Sequence, residues 1–269
     1  MMTANDTTLF EVGWDPAVSQ ARQILYRFIA MALADPRAGA WPSLSCLRND
    51  SLVADAAALL RNEAAAAAAE LALGEQPLAL LDPAPVLARL PASRDGLNEL
   101  FESTFGLLAS STCPPHESDY INGKFTFQRS HALADVSGFY QAFGLEPSPQ
   151  RREQHDHIVL ELEFMAFLLG LERRAAESGD PAGAQRASIC RDAARRFLGE
   201  HLAWWAPAFG RLLGRENPGG YYEAVGVLLG ALIAAERSLC GIEPPGVGAA
   251  PSSVERPEEC EGCQLSPQS

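Results

Sequence analysis

The sequence predicts an all-α protein: a compact multi-helix globule with N- and C-terminal helical subdomains joined by a hinge. Alanine is abundant and β-branched residues are sparse, which favours helices because alanine loses no side-chain entropy in them. No segment alternates apolar and polar residues between hairpin turns, as strands would. Apolar residues instead recur at helical spacing in one segment after another.

The N-terminal half begins with a helix in "DPAVSQARQILYRFIAMALADP". Asp15-Pro16 is typical of an N-cap followed by the first helical residue, and Asp35-Pro36 is typical of a helix end. Three further segments have the same periodicity and predict helices: "DSLVADAAALLRNEAAAAAAELAL", "SRDGLNELFESTFGLL" and "GKFTFQRSHALADVSGFYQAFGL".

The C-terminal half follows "EPSPQRREQ", whose prolines and charges interrupt the periodicity and predict a hinge. A long helix is expected up to about Glu177, then a turn at "SGDPAGA", then a segment that Pro207 should divide into two helices. "NPGGYYEAVGVLLGALIAAERSLCG" predicts the last helix. The predicted units are an N-terminal subdomain (14–146), the hinge (147–155), a C-terminal subdomain (156–241) and a flexible acidic tail (242–269).

Charge and hydropathy exclude several partners. The 269 residues include 21 basic and 34 acidic ones, a formal net charge of −13, so a nucleic acid would be repelled and a cationic partner attracted. The first residues lack the basic and apolar regions of a secretory signal. The longest uncharged apolar run, Ala224–Ala235, is shorter than the ~20 residues of a membrane span. We therefore expect a cytoplasmic protein without stable membrane insertion.

No familiar catalytic pattern is present. The sequence lacks G-x-S-x-G, the P-loop and G-x-G-x-x-G, and no nucleophile is followed by an evident base and orienting group. We therefore predict no enzymatic activity and no cofactor. Nucleotide binding is not predicted either, because no glycine-rich loop is available to hold phosphates.

The segment "HDHIVLELEFMAFLL" places charged residues at the start of an apolar helix. His155, His157 and Glu161 are a possible set of metal ligands. Alternatively, Asp156 is the N-cap of the helix, since aspartate is a favoured cap. A ligand-binding role for the Asp156–His157 pair is the third interpretation, and the residues alone do not decide among the three.

The segment "CPPHESDY" fixes its backbone with two prolines and presents Glu117 and Tyr120. They are either part of a binding site or, for Glu117, a helix cap. Trp204-Trp205 is interpreted as core. A different function, that of a small metal-binding or redox protein, is suggested by the C-x-x-C pair in the tail. Its four ligands would be Cys113, His116, Cys260 and Cys263.

Three blocks in order carry a family resemblance over roughly residues 20–240: "LF" followed by "PPHES" and Tyr120, then "FYQAFGL", then "DH" followed by "ELEFM". This order resembles the TorD/DmsD family of cytoplasmic molybdoenzyme chaperones, also called redox enzyme maturation proteins. The Cys-bearing segments look similar to the members that serve the dimethyl sulfide, ethylbenzene, selenate and chlorate enzymes.

The resemblance implies a helical chaperone without catalytic activity, a monomer or homodimer. It implies binding of the twin-arginine signal peptide of a molybdopterin-containing precursor, held until cofactor insertion and Tat export. An acidic protein with carboxylates beside an apolar groove suits such a peptide, because its n-region is cationic and its h-region apolar. The implied binding residues are Leu100, Phe101, Glu117, Tyr120, Asp156 and His157.

Two positions depart from the family pattern. His155 stands where a proline often precedes the Asp-His pair, and His116 stands where a tyrosine is frequent. Asp156→Ala is predicted to weaken signal-peptide binding without unfolding the protein.

Overall fold

The computed structural model describes residues 15–65, 70–106, 112–121, 126–146 and 153–245, without the side chains of 126–128. Within these ranges the chain is helical and contains no β-strand, as predicted. The helices are α1 (Pro16–Leu33), α2 (Trp41–Leu47), α3 (Leu52–Ala64), α4 (Ala84–Arg89), α5 (Arg94–Phe105), α6 (Thr126–Ala142), α7 (Ile158–Glu177), α8 (Pro181–Phe197), α9 (Ala203–Glu216) and α10 (Tyr221–Leu239).

Several helix ends lie where the local sequence predicts them. The Asp15 carboxylate accepts from the Ala17 N–H at 2.8 Å and starts α1, and α1 ends before Asp35. The Ser93 hydroxyl caps α5 by accepting from the Gly96 N–H at 3.1 Å. These signals are local, because a cap satisfies N–H groups within the same turn. Helix α7 ends at Glu177, also as predicted.

Several predicted boundaries are wrong. The segment that predicts one helix up to Leu73 forms α3 only as far as Ala64, and residues 70–73 are not helical. Pro207 does not divide its segment but lies inside α9, among its first five residues, where a missing N–H affects only the first internal hydrogen bonds. The interruption is a π-helical segment, Leu198–Leu202, in which the Ala203 N–H bonds to the Leu198 carbonyl. Helix α8 begins earlier than expected, at Pro181, because the Asp180 side chain accepts from the Gly183 N–H.

The core joins helices from both halves of the sequence. Helix α7 packs against α1 and α8, and α10 packs against α9, α4, α3 and α1. One continuous cluster of buried apolar side chains includes members of all of these helices. Part of the predicted hinge, 147–152, lies outside the described residues, and the division into two subdomains stays a prediction. None of the described helices combines the length and apolarity that a membrane crossing needs.

One buried and one partly buried ion pair hold α10. Arg237 donates from Nε and Nη2 to the two carboxylate oxygens of Glu75, at 2.8 and 2.9 Å. The same carboxylate accepts from the Ala72 N–H at 2.7 Å, so the loop before α4 is fixed on α10. Arg22 makes a second two-point contact with Glu236, at 2.7 and 2.8 Å. Paired charges can be buried in this way because each has both a counter-charge and hydrogen bonds.

Helices α9 and α10 are in contact through two glycines. A Cβ added to Gly226 would overlap the Gly210 carbonyl oxygen, and one added to Gly210 would lie 2.7 Å from the Gly226 carbonyl oxygen. We expect Gly226→Ala to lower the free energy of unfolding by about 1–3 kcal/mol, because two backbones must separate. Denaturant unfolding measures this change.

Gly138→Ala in α6 is the control, because a Cβ there has no neighbour within 4 Å. It should be neutral or slightly stabilising, since alanine favours helix by about 1 kcal/mol over glycine. Equal effects of the two substitutions would contradict close packing at Gly226.

Candidate functional site

The "CPPHESDY" loop is paired directly with the start of α7. The Glu117 N–H donates to the Asp156 carbonyl at 2.9 Å, and the Ile158 N–H donates to the Pro115 carbonyl at 2.9 Å. These bonds make the antiparallel bridge between His116 and His157. Two motifs separated by about 40 residues in sequence therefore lie side by side.

Asp156 is fully buried and holds this loop. One of its carboxylate oxygens accepts from the Ser118 N–H at 3.0 Å, and the other has no hydrogen-bond partner. The prediction that Asp156 is the N-cap of α7 is wrong. His157 is the cap, because its Nδ1 accepts from the Val159 N–H at 3.2 Å.

Glu117 is also fully buried. His201 Nδ1 lies 3.1 and 3.0 Å from its two carboxylate oxygens, and Trp204 Nε1 donates to it at 2.8 Å. The interpretation of Glu117 as a helix cap is therefore wrong: its carboxylate joins the loop to the π segment and α9. Sequence reasoning missed His201, which is 84 positions away and belongs to no recognisable motif.

Glu161 is a third buried carboxylate, in the first turn of α7. Trp205 Nε1 donates to one of its oxygens at 3.1 Å, and the other oxygen has no partner. Burial, together with the negative charge of Glu117, raises the pKa of the Glu161 carboxyl well above its ordinary value. Trp205 is fully buried, as its interpretation as core required.

The proposed metal set at the start of α7 is wrong. His155, His157 and Glu161 are not among the described groups whose ligand atoms converge. Glu161 accepts a hydrogen bond from Trp205. The ring of His155 contacts the Ser137 hydroxyl, and the backbone carbonyl of His155 accepts from the Tyr140 hydroxyl. Each residue therefore has a separate structural partner.

Stability should depend on pH through Glu161. Because its pKa is higher in the folded chain than the ordinary 4.5, the unfolded chain releases this proton first as pH rises. The contribution of the protonated carboxyl is complete below pH ~4.5 and is lost as pH rises through the folded pKa. Glu161→Gln keeps an acceptor for the Trp205 N–H but carries no charge at any pH. Its Tm should match that of the unsubstituted protein near pH 4 and exceed it increasingly towards pH 8.

Thermal unfolding across that pH range is the measurement, with Glu63→Gln on the exposed face of α3 as the control. The control should leave the pH profile unchanged. A Glu161→Gln profile parallel to that of the unsubstituted protein would show that Glu161 is ionised in the fold.

The aromatic side chains connect this site with α5. Tyr120 donates its hydroxyl to the Pro114 carbonyl at 3.0 Å. Leu100 and Phe101 are half-buried and pack on the core. Neighbouring rings in this connection have centroids 4.8–6.4 Å apart. In order they are Tyr120, Trp205, Phe209, Phe105 and Phe101.

The surface of the loop carries different groups from its interior. Asp119 is exposed, lies 3.7 Å from Arg129 and is the same distance from His116. The rings of His116 and His157 are both half-buried and in edge contact, with centroids 5.1 Å apart. The exposed side of the loop therefore presents Asp119 and two imidazoles, while the carboxylates of Glu117 and Asp156 lie beneath it.

The proposed four-ligand cysteine site is only partly described. Cys260 and Cys263 lie outside the described residues, so this set stays a prediction. Cys113 is buried, and burial together with the charge of Glu216 raises the pKa of its thiol to about 12. A metal ion would have to displace this proton in order to bind Cys113, because the ligand form of cysteine is the thiolate.

The chain is similar to known assembly proteins. The family model described as nitrate reductase delta subunit matches residues 54–211. The selenate reductase assembly chaperone of Thauera selenatis is 39% identical over 45% of this chain and 58% of its own length. The chlorate reductase assembly chaperone of Ideonella dechloratans is 34% identical over 61% and 77%. The perchlorate reductase assembly chaperone of Dechloromonas aromatica is 34% identical over 40% and 47%.

No solved structure is significantly similar to the chain. The chain aligns with less than two thirds of the selenate and perchlorate relatives. The family model nevertheless covers more than half of it, and the chlorate relative is matched over most of its length. The chain therefore belongs to the nitrate reductase delta subunit family, which confirms the predicted resemblance to redox enzyme maturation chaperones of the TorD/DmsD type.

Proposed function

We propose that this protein is a chaperone for the assembly of a molybdopterin-containing reductase. It binds the twin-arginine signal peptide of the catalytic subunit and holds the apo-enzyme until the cofactor is inserted. It acts in the cytoplasm, before export by the Tat translocase, and it acts by binding rather than by catalysis. Three relatives named as reductase assembly chaperones support this role.

One observation carries the assignment of the site. The loop–α7 bridge collects three fully buried carboxylates, those of Glu117, Asp156 and Glu161. In the described part of the chain, none of them forms an ion pair with arginine or lysine. Two of their oxygens have no hydrogen-bond partner. The carboxylates of Glu117 and Asp156, together with the exposed Asp119, create a negative potential that favours a cationic ligand, whereas Glu161, with its raised pKa, contributes little charge.

The residues take different parts in the proposed binding. Asp119 at the surface pairs with a signal arginine in place of Arg129, since an exposed ion pair exchanges readily. Asp156 and Glu117 hold the loop in position and contribute their charge from below. The His157 side chain lies beside the loop, and Tyr120 connects the loop with the aromatic side chains.

The apolar h-region of the signal packs against the side of the molecule that carries Leu100 and Phe101. These two side chains are half-buried, so each keeps apolar surface available for contact. A peptide whose charged and apolar parts meet both surfaces gains charge pairing and apolar burial together.

Affinity capture tests the proposal. The tagged chain is recovered from the cytoplasm of cells that express their molybdoenzymes, and the bound proteins are identified by mass spectrometry. A catalytic-subunit precursor that still carries its twin-arginine signal is the expected result. Capture without any such precursor contradicts the proposal.

Calorimetric titration with the signal peptide of the captured precursor then locates the interaction. The matched control is the same peptide with both arginines replaced by lysine, because lysine lacks the planar two-point geometry of the guanidinium. We expect at least 10-fold weaker binding of the lysine peptide. Equal affinities would remove arginine recognition from the site.

A further inference from the structure

The imidazole of His201 lies between a buried carboxylate and an exposed one. It is 3% exposed, and Nδ1 faces the Glu117 carboxylate. On its other side, Nε2 has no hydrogen-bond partner and points towards Asp135, whose Oδ2 lies 3.5 Å away. The rings of Phe139 and Phe197 flank the imidazole, with centroids 5.5 and 4.9 Å from it.

The contacts of Glu117 fix the tautomer. Trp204 Nε1 is a donor only, and a carboxylate is an acceptor only, so Nδ1 of His201 carries the hydrogen that Glu117 accepts. In the neutral ring of that tautomer, the lone pair is on Nε2, the atom that faces Asp135. A carboxylate that accepts from one ring nitrogen while the other faces a set of ligands is the usual arrangement around a metal-bound histidine.

The remaining ligands come from two different elements. Asp135 belongs to α6, and its side chain is 61% exposed; Glu200 precedes His201 in the π segment and is also exposed. One ligand atom from each of the three residues lies within 4.8 Å of the others. Two ligands of a tetrahedral ion at about 2.0–2.1 Å are about 3.4 Å apart, which matches the 3.5 Å between Nε2 and Asp135 Oδ2.

We propose that Asp135, Glu200 and His201 bind a divalent first-row transition-metal ion such as Zn²⁺. Glu117 positions the histidine from behind, and water completes the coordination on the exposed side. One imidazole and two carboxylates form a borderline-hard set that suits such an ion. The site is distinct from the cysteine set, with which it shares no residue.

The local charges favour a cation. Glu117, Asp135 and Glu200 carry three negative charges, whereas Arg196 is the cation that contacts Glu200, at 3.2 and 3.4 Å. Both partners of this ion pair are exposed, so it holds Glu200 only loosely. The Arg196 guanidinium also lies over the Phe139 ring, 5.4 Å from its centroid, and can stay there when Glu200 turns to the metal.

A bound ion would join α6 to the π segment and, through Glu117, to the loop that pairs with Asp156. The π segment has a structural role here, because insertions of this kind inside helices frequently lie at functional sites. Neither Asp135 nor Glu200 belongs to the proposed signal-peptide site. A negative result for the metal site would therefore leave the proposed chaperone function intact, and a negative result for signal-peptide binding would leave the metal site intact.

The test uses the full chain with Cys260→Ser and Cys263→Ser, freed of metal and titrated with CoCl₂ as the probe. Binding of about one Co²⁺ per chain is expected, with visible bands of oxygen and nitrogen ligation and without a thiolate charge-transfer band. Competition by Zn²⁺ should remove these bands. Asp135→Asn and Glu200→Gln should each weaken Co²⁺ binding at least 10-fold, since a charged ligand becomes an amide in each.

Asp192→Asn is the matched control, because it makes the same change at an exposed position of α8 and should leave the affinity unchanged. All three substituted positions are exposed, so the fold should be retained, and circular dichroism checks that it is. Absence of Co²⁺ binding, or equal affinity in Asp135→Asn and Asp192→Asn, would overturn the proposal.

Discussion

Glu75→Ala is expected to lower the free energy of unfolding by about 3–5 kcal/mol, the loss typical of a broken buried ion pair. The substitution leaves the guanidinium of Arg237, which is 1% exposed, without its counter-charge. It also removes the acceptor of the Ala72 N–H. Arg237 keeps carbonyl partners at Ile242 and Glu70, but these are neutral dipoles and do not replace a carboxylate.

Chemical denaturation measures this change, and two variants control it. Glu63→Ala removes an exposed glutamate from α3 and should alter the free energy of unfolding by less than about 0.5 kcal/mol. The double variant Glu75→Leu with Arg237→Met removes both charges, so it should lose less than Glu75→Ala alone. A loss in the double variant as large as that in Glu75→Ala would show that packing, not the unpaired charge, determines the effect.

Asp156→Ala is expected to weaken signal-peptide binding about 10- to 100-fold. The part-buried N–H of Ser118 loses its acceptor, which costs about 1–3 kcal/mol. A peptide that must re-order the loosened loop loses about 10-fold in affinity for each 1.4 kcal/mol of that cost. The backbone bonds between Glu117 and Asp156 and between Pro115 and Ile158 remain. The loop is therefore loosened, while the helical core stays folded.

Titration with the peptide of the captured precursor measures the affinity, and thermal unfolding monitors the fold in parallel. Asp156→Asn retains an acceptor for the Ser118 N–H but carries no charge. Its affinity should therefore lie between that of the unsubstituted protein and that of Asp156→Ala. Asp192→Asn provides an exposed acidic control. Unchanged affinity in Asp156→Ala would remove Asp156 from the site. A weakened Asp156→Asn together with an unchanged Tm would assign part of the effect to charge.

Local signals predicted much of the fold. Asp15 and Ser93 cap helices by bonding to N–H groups two or three residues away, so the information lies within a few positions of the sequence. The same holds for the apolar periodicity of α7, whose C-terminal end at Glu177 was predicted. The sequence does not predict the π segment. Its hydrogen bonds join residues five apart instead of four, and this difference is not marked by any particular residue type.

The site was less accessible to sequence reasoning. Glu117 and Asp156 were singled out by motif, but their burial and their partners depend on tertiary pairing. His201 lies 84 positions from Glu117 and carries no spacing signal, so only the packing of the loop on the π segment brings them together. Asp156 has a strong intrinsic preference for a cap position, yet its carboxylate satisfies the N–H of a different segment.

The packing of α1 on α7 has a consequence for biosynthesis. About 125 residues separate the end of α1 from the start of α7. At the usual 5–20 residues per second, the ribosome needs about 6–25 s to make that stretch. During this interval α1 can pack on α3 and α2, whereas its contacts with α7 and α10 must wait. The nascent chain thus passes through a stage in which apolar surface of α1 is uncovered, so the yield of folded protein should depend on rapid completion of synthesis.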